Sequence, residues 1–219
     1  GAAKAAPRRI DRKPPKAPRA VAASAPIIRS VTRQGAEIDY EVIDPNEAGG
    51  PDTRTDAATD ASGIYQAYRV ARIRIPGAKD HPTPLTQSTA LSSIDPPAPT
   101  YRPHLPKMLV TDGILSDAQL ESIVYAGEAH ARFMDGAFVR HSETGEVTET
   151  GEDDPAGFRL RMGYFIGDGT GCGKGRQVAG VVMDNWIKGR RKAVWISKSD
   201  KLKEDAIRDW TALGGGATE

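Results

Sequence analysis

The stretch Met162 to Trp186, MGYFIGDGTGCGKGRQVAGVVMDNW, decides how the rest of the chain is read. Tyr164, Phe165 and Ile166 form a short apolar run suited to a buried strand. Glycines follow at alternate positions (Gly167, Gly169, Gly171, Gly173) and end at Lys174. Val178, Val181, Val182, Asn185 and Trp186 then recur at helical spacing. Strand, glycine-rich turn and helix, in that order, make a phosphate-binding loop. Glycines let successive backbone N–H groups turn inward around phosphate oxygens, where Cβ atoms would obstruct them. A helix opening near Lys174 adds unpaired N–H groups and a positive dipole end, worth roughly 0.3–2 kcal/mol to a nearby anion. Lys174 is the catalytic cation of this reading, reaching the β- and γ-phosphates. The phosphate-contacting set runs through Asp168, Gly169, Thr170, Gly171, Cys172, Gly173, Lys174, Gly175 and Arg176.

The usual motif is G-x-x-x-x-G-K-[ST]. Here Asp168 stands at the first glycine place and Gly175 at the hydroxyl place. The second departure weighs more, because that Ser or Thr normally holds the magnesium bridging the phosphates. Thr170 is a nearby hydroxyl, and the metal ligands are not assignable from the residues alone. Cys172 lies near the helix start, where a thiol pKa can fall; a small residue that fits the turn is the simpler reading.

The flanks continue the same plan. After a basic turn, Lys188 to Lys192, Ala193-Val194-Trp195-Ile196-Ser197 has the composition of a buried strand. A helix from about Asp200 to Leu213 follows, with Leu202, Ala206, Trp210 and Leu213 on its inner face. Strand, loop, helix, strand, helix is a parallel α/β unit. Upstream, Ser116-Asp117-Ala118-Gln119 spells a capping box with Leu115 and Leu120 as its hydrophobic staple. Its helix carries Leu120, Ile123, Val124, Gly127, Ala131 and Met134 along one face. Gln119 has two readings that spacing leaves level: a cap reaching back to Ser116, or a glutamine that reads the adenine edge.

Composition bounds the remainder. A hydrophobic content of 38% with 16 prolines and 23 glycines in 219 residues is thin for one packed globule, so part of the chain reads as linker. A net charge of +1 argues against a uniformly basic nucleic-acid coat but not against a local patch. The single cysteine excludes an internal disulfide and a cysteine zinc cluster, which suits a reducing cytoplasm. No apolar run approaches the ~18 residues of a membrane span. The chain opens at Gly1 and is expected to be a fragment. Residues 1–26 are Ala, Pro, Lys and Arg and read as a solvated tether. One or two short strands are expected within Ile27 to Ile43, and Pro45 to Ser62 reads as a second linker. Ile64 to Ile75 favours a strand. Prolines at 76, 82, 84, 96, 97, 99, 103 and 106 make an extended strap, with a short helix at Leu85 to Ser93. Thr144-Gly145 marks a hairpin tip inside an acidic, solvated stretch.

LSDAQLESIVYAGEAH, GYFIGDGTGCGKGRQVAGVVMDNW and AVWISKSDKLKEDAIRDWTALGG resemble the strawberry notch-type superfamily 2 ATPases across roughly Pro103 to Gly216. In that family Gly follows the loop lysine, so Gly175 conforms to it. The resemblance implies a RecA-like helicase core in which Gly171, Gly173 and Lys174 meet the phosphates of ATP and Gln119 reads adenine. It makes Ser197, Lys198 and Lys201 similar to a motif that touches a nucleic-acid backbone. ATP and Mg2+ are the cofactors it implies, and DNA the partner. The strap around His81 to Leu85 is similar to the region that joins such an ATPase to an upstream methyltransferase domain. The resulting expectation is an α/β fold: residues 107–219 as the N-terminal part of a RecA-like P-loop domain with parallel strands. A proline-rich strap (63–106) precedes it, and before that a disordered or linker region (1–62).

The expected function is the ATP-binding portion of a DNA-dependent helicase or translocase-like ATPase. The alternatives are a nucleotide-binding or scaffold module without turnover and a P-loop enzyme of another kind, such as a kinase; no lid or acceptor-binding region supports the kinase. No Asp-Glu box on a later strand and no second helicase domain lie in these residues, so the chain alone is expected to bind adenine nucleotide weakly and not to turn it over. Asp205 and Asp209, on a helix after the second strand, read as out of place for the role of that box.

Overall fold

The computed structural model describes residues 35–44, 63–68, 70, 72–92, 94, 96–169 and 171–216. The expectations for the tether at 1–26 and the linker at 45–62 lie outside these residues. Short strands come first: β1 (Ala36–Glu37), β2 (Glu41–Val42), β3 (Tyr65–Ala67), β4 (Ile73–Arg74) and β5 (Thr86–Ser88). Helix α1 (Thr89–Ser92), β6 (His104–Leu105) and α2 (Met108–Thr111) follow, then α3 (Asp117–His130), the hairpin β7 (Ala137–Arg140) and β8 (Val147–Thr150), α4 (Lys174–Ile187) and α5 (Lys201–Ala212). Every described sheet is a two-stranded antiparallel pair: β1 with β6, β2 with β4, β3 with β5 and β7 with β8.

The parallel sheet expected from the sequence is therefore not what these residues build. Tyr164 to Ile166 and Ala193 to Ser197 carry no strand assignment, and Phe165, Val194 and Ile196 are 88%, 89% and 89% exposed. The physical reason is that a strand exists only through a neighbour that takes its N–H and C=O groups. The same lack shows on α4. Val178, Val181, Val182 and Trp186 are half-buried, whereas the buried set is Gln177, Ala179, Gly180, Met183 and Asp184. In α5 and its C-cap, Trp210 and Leu213 are buried but Leu202 is exposed, so the predicted inner face holds for its C-terminal end. Ile64 to Ile75 divides into β3 and β4, which pair with different partners, and the described residues 85–92 are β5 leading into α1 rather than one helix.

Local signals translate directly. Ser116 Oγ accepts from the Gln119 N–H and Gln119 Oε1 accepts from the Ser116 N–H, so both halves of the capping box are made. Leu115 and Leu120 are fully buried on either side of it. Gly145, at φ +72°, turns the β7–β8 hairpin where Thr144-Gly145 places its tip.

The core gathers Leu105, Leu109, Leu115, Leu120, Ile123 and Val124 against Ala179 and Met183 of α4, Trp210 of α5 and Leu213 just beyond it. A Cβ at Gly180 would overlap Ile123, so the glycine lets α3 and α4 close on each other. Trp186 and Trp210 meet edge to face at 6.0 Å and 66°, which fixes where α5 crosses α4.

The strap lies across this helical layer and is tied by polar contacts. Glu128 accepts the Thr100 and Tyr101 N–H groups at 2.9 and 2.8 Å. Asp184, 2% exposed, accepts the His104 N–H at 2.6 Å, the Tyr101 hydroxyl, and Lys188 Nζ at 3.0 Å. Tyr125 donates its hydroxyl to the Pro97 carbonyl at 3.0 Å. Prolines cannot donate, so carboxylates on the helices take the few N–H groups this segment offers.

Candidate nucleotide-binding site

The glycine loop enters α4 through two left-handed turns, Gly171 at φ +96° and Gly173 at φ +72°. Both sit in the region that side-chain-bearing residues avoid. Gly173 is the N-cap of α4, and no side chain caps that end, so its first N–H groups stay available to an anion. Gly169 and Gly171 each have open space where a Cβ would stand. Lys174 folds its ammonium back onto the loop, donating to the Asp168 and Gly169 carbonyls at 2.8 and 2.9 Å. Of the sequence-predicted set, Thr170 lies outside the described residues. Arg176 points away from the loop and donates to the Ile114 carbonyl at 3.1 Å.

Two side chains hold the loop from behind. Gln119 Nε2 donates to the Cys172 carbonyl at 3.1 Å, and a Cβ on Gly173 would overlap that same nitrogen. Gln119 thus spends its oxygen on the cap and its nitrogen on the loop; reading an adenine edge requires Nε2 to leave Cys172. Gln177, buried in the first turn of α4, donates to Asp168 Oδ2 at 2.6 Å, while its Oε1 has no partner among the described residues. Glu121, one half-turn beyond Gln119, is buried and accepts the Tyr68 hydroxyl. Burial pushes its carboxyl from the usual 4.5 up to about 8, and the charge on Asp168 adds to the shift. At neutral pH the Glu121 carboxyl is therefore largely protonated.

Gly175 is the most confined glycine of the loop. A Cβ there would overlap Oδ2 of Asp209 and lie 3.1 Å from its Cγ. Asp209, expected from sequence to be out of place, is thus set against the start of α4, with a side chain 15% exposed. Sequence reasoning missed it, although a loop lacking its hydroxyl calls for an oxygen from elsewhere. For a nucleotide's magnesium the donors present fit: one carboxylate beside the phosphate cradle is how this ion is usually held, with phosphate oxygens and waters completing its shell. No group of three or more metal-binding side chains is assembled among the described residues.

Ser197, Lys198 and Lys201 are exposed on the segment that leads into α5. Their basic neighbours differ: Arg190 donates to Asn185 Oδ1 at 3.0 Å and Arg191 lies over the Trp186 ring at 5.7 Å. No described helix is long and apolar enough to cross a membrane.

A glycine cradle with free helix-end donors and a lysine across its mouth defines a nucleotide-binding P-loop module, and comparison with known proteins agrees. Residues 80–219 match the family described as P-loop containing NTP hydrolase pore-1. Protein strawberry notch of Drosophila melanogaster is 35% identical over 190 residues, 86% of this chain and 9% of that protein. Protein FORGETTER 1 of Arabidopsis thaliana is 36% identical over 155 residues, 70% of this chain and 10% of that protein. Human strawberry notch homolog 2 is 39% identical over 145 residues, 66% of this chain and 9% of that protein. The chain belongs to the strawberry notch-type P-loop helicase family. It spans about a tenth of the length of these relatives. No solved structure matches it.

Proposed function

We propose that this chain is the ATP-binding portion of a DNA-dependent, superfamily 2 helicase-type ATPase. The observation that carries the reading is the double left-handed turn at Gly171 and Gly173, which opens into the uncapped start of α4 with Lys174 poised over it. Backbone N–H groups of the loop and of the first turn of α4 receive the phosphates. Lys174 exchanges the Asp168 and Gly169 carbonyls for β- and γ-phosphate oxygens, a stronger charge-assisted contact. Magnesium neutralises phosphate charge when bound. Gln119 keeps Cys172 in place until the base arrives, then serves the adenine edge. Ser197, Lys198 and Lys201 meet the phosphate backbone of DNA.

Lys174→Ala should weaken binding of a non-hydrolysable ATP analogue by roughly tenfold or more, the scale of one charge-assisted contact of about 1.5–3 kcal/mol. Unchanged affinity with native circular dichroism would reject the phosphate-loop assignment. For the DNA surface, charge reversal of Lys198 and Lys201 should weaken oligonucleotide binding and flatten its dependence on salt. An unchanged salt slope would mean that these lysines are simply solvated.

A further inference from the structure

Gly175, after the loop lysine, lacks the hydroxyl that ordinarily reaches the metal of a bound nucleotide. The structure shows what stands in the vacated space. Oδ2 of Asp209 lies 2.0 Å from where the first side-chain carbon of residue 175 would be built, so a carboxylate oxygen borders the region from which a Ser or Thr hydroxyl would project. Its position is not that of a loosely solvated side chain. The next residue, Trp210, is buried, packs edge-on to Trp186 and donates Nε1–H to the Gly216 carbonyl at 2.9 Å. That anchor fixes the turn of α5 that carries Asp209. The other carboxylate oxygen, Oδ1, is 3.7 Å from Arg208 Nη2, a loose contact, because Arg208 is already engaged by Asp205 Oδ1 at 2.6 Å.

We propose that Asp209 supplies the oxygen ligand that Gly175 lacks, holding the divalent cation of a bound nucleoside triphosphate at the start of α4. The chemistry suits the ion. Magnesium takes one or two carboxylates together with substrate phosphates and retained waters, and does not require an all-protein cage. With Asp209 in this rotamer, a side chain at position 175 would overlap its carboxylate. The signs of charge add a second consequence. Without the cation, a carboxylate beside the cradle repels the triphosphate; with it, the same group adds affinity. Asp209 should therefore make nucleotide binding depend on the metal in both directions. A carboxylate that merely packed two helices together would still repel the triphosphate but would add nothing when the metal is present.

The inference rests on the phosphate-loop reading above, and its test separates the two. Affinity of the full 219-residue chain for a non-hydrolysable ATP analogue is measured by calorimetry in Mg2+ and again in EDTA, with bound Mn2+ followed by electron paramagnetic resonance. The wild-type chain should bind more tightly with metal. Asp209→Ala should lose that increment by about tenfold or more, since even outer-shell partners of a metal cost 10–100-fold. Its affinity in EDTA should rise. Asp209→Asn, which keeps the side-chain size, should behave alike if the alanine variant folds poorly. The double variant Gly175→Ser with Asp209→Ala restores a hydroxyl to the cleared space and should recover the metal increment and the Mn2+ signal. A full metal increment in a natively folded Asp209→Ala or Asp209→Asn overturns the assignment of Asp209 alone. A wild-type chain that binds no nucleotide with or without metal overturns the phosphate-loop reading itself.

Discussion

Residues 96–103 and residues 193–197 both run without helix or ladder pairing, yet Pro99 and Pro103 are buried while Val194 and Ile196 stand 89% exposed. Apolar content does not explain the difference, since AVWIS is the richer of the two. The difference is in the partners. The proline-rich strap has few N–H groups, and carboxylates on the helices receive those of Thr100, Tyr101 and His104. Segment 193–197 has a full set of backbone donors and acceptors and no described strand beside it. Extended chain is buried where its polar groups are met, and hydrophobic side chains follow.

The sharpest way to break this comparison is at Asp184, where three donors converge on one buried carboxylate. Asp184→Ala breaks the buried pair with Lys188 and leaves the His104 N–H and the Tyr101 hydroxyl without their acceptor, and should cost about 3–5 kcal/mol in urea unfolding. A loss near zero would mean that the strap is not held from this point.

Glu128 gives a smaller effect with a sign in pH. Its burial works to raise its pKa, but Arg132, the Thr100 and Tyr101 N–H groups and the Thr100 hydroxyl outweigh this and bring it from 4.5 down to about 2. A depressed carboxylate adds stability above its unfolded value and loses it as the pH falls from about 4.5 through about 2. Glu128→Gln should cost roughly 0.5–1.5 kcal/mol at neutral pH, and its melting temperature should fall less steeply than wild type's in that acid window. Parallel acid limbs for the two proteins would count against the contact.

The smallest effect belongs to the bare segments. Val194→Thr and Ile196→Thr should change stability by no more than about 0.5 kcal/mol, as exposed positions do, whereas apolar positions under the strap should not tolerate such a change. A loss of core size at Ile196 would show that the segment is packed after all.

What was legible in the sequence was local. Ser116 to Gln119, Thr144-Gly145 and the glycine run each state their own turn or cap, because the residues that make the bonds are three or four apart. The helices followed from periodicity. The two strands did not, because β-branched content describes half of a pairing and the other half is distant. Asp184, Glu128 and Asp209 were illegible for the opposite reason. A carboxylate on a helix reads as solvated until tertiary structure brings a strap or a glycine against it. Gln119 was half legible: spacing announced the cap, and nothing local announced Cys172.

That last contact narrows what position 119 can be. A capping box accepts glutamate as readily as glutamine, since either side chain offers an oxygen to the N-cap amide. Here the other end of the amide must also give a hydrogen to the Cys172 carbonyl. A glutamate would keep the first bond and set two oxygens facing each other at the second. The start of α3 and the phosphate loop therefore share one vocabulary: a substitution synonymous for the helix is a misspelling for the loop.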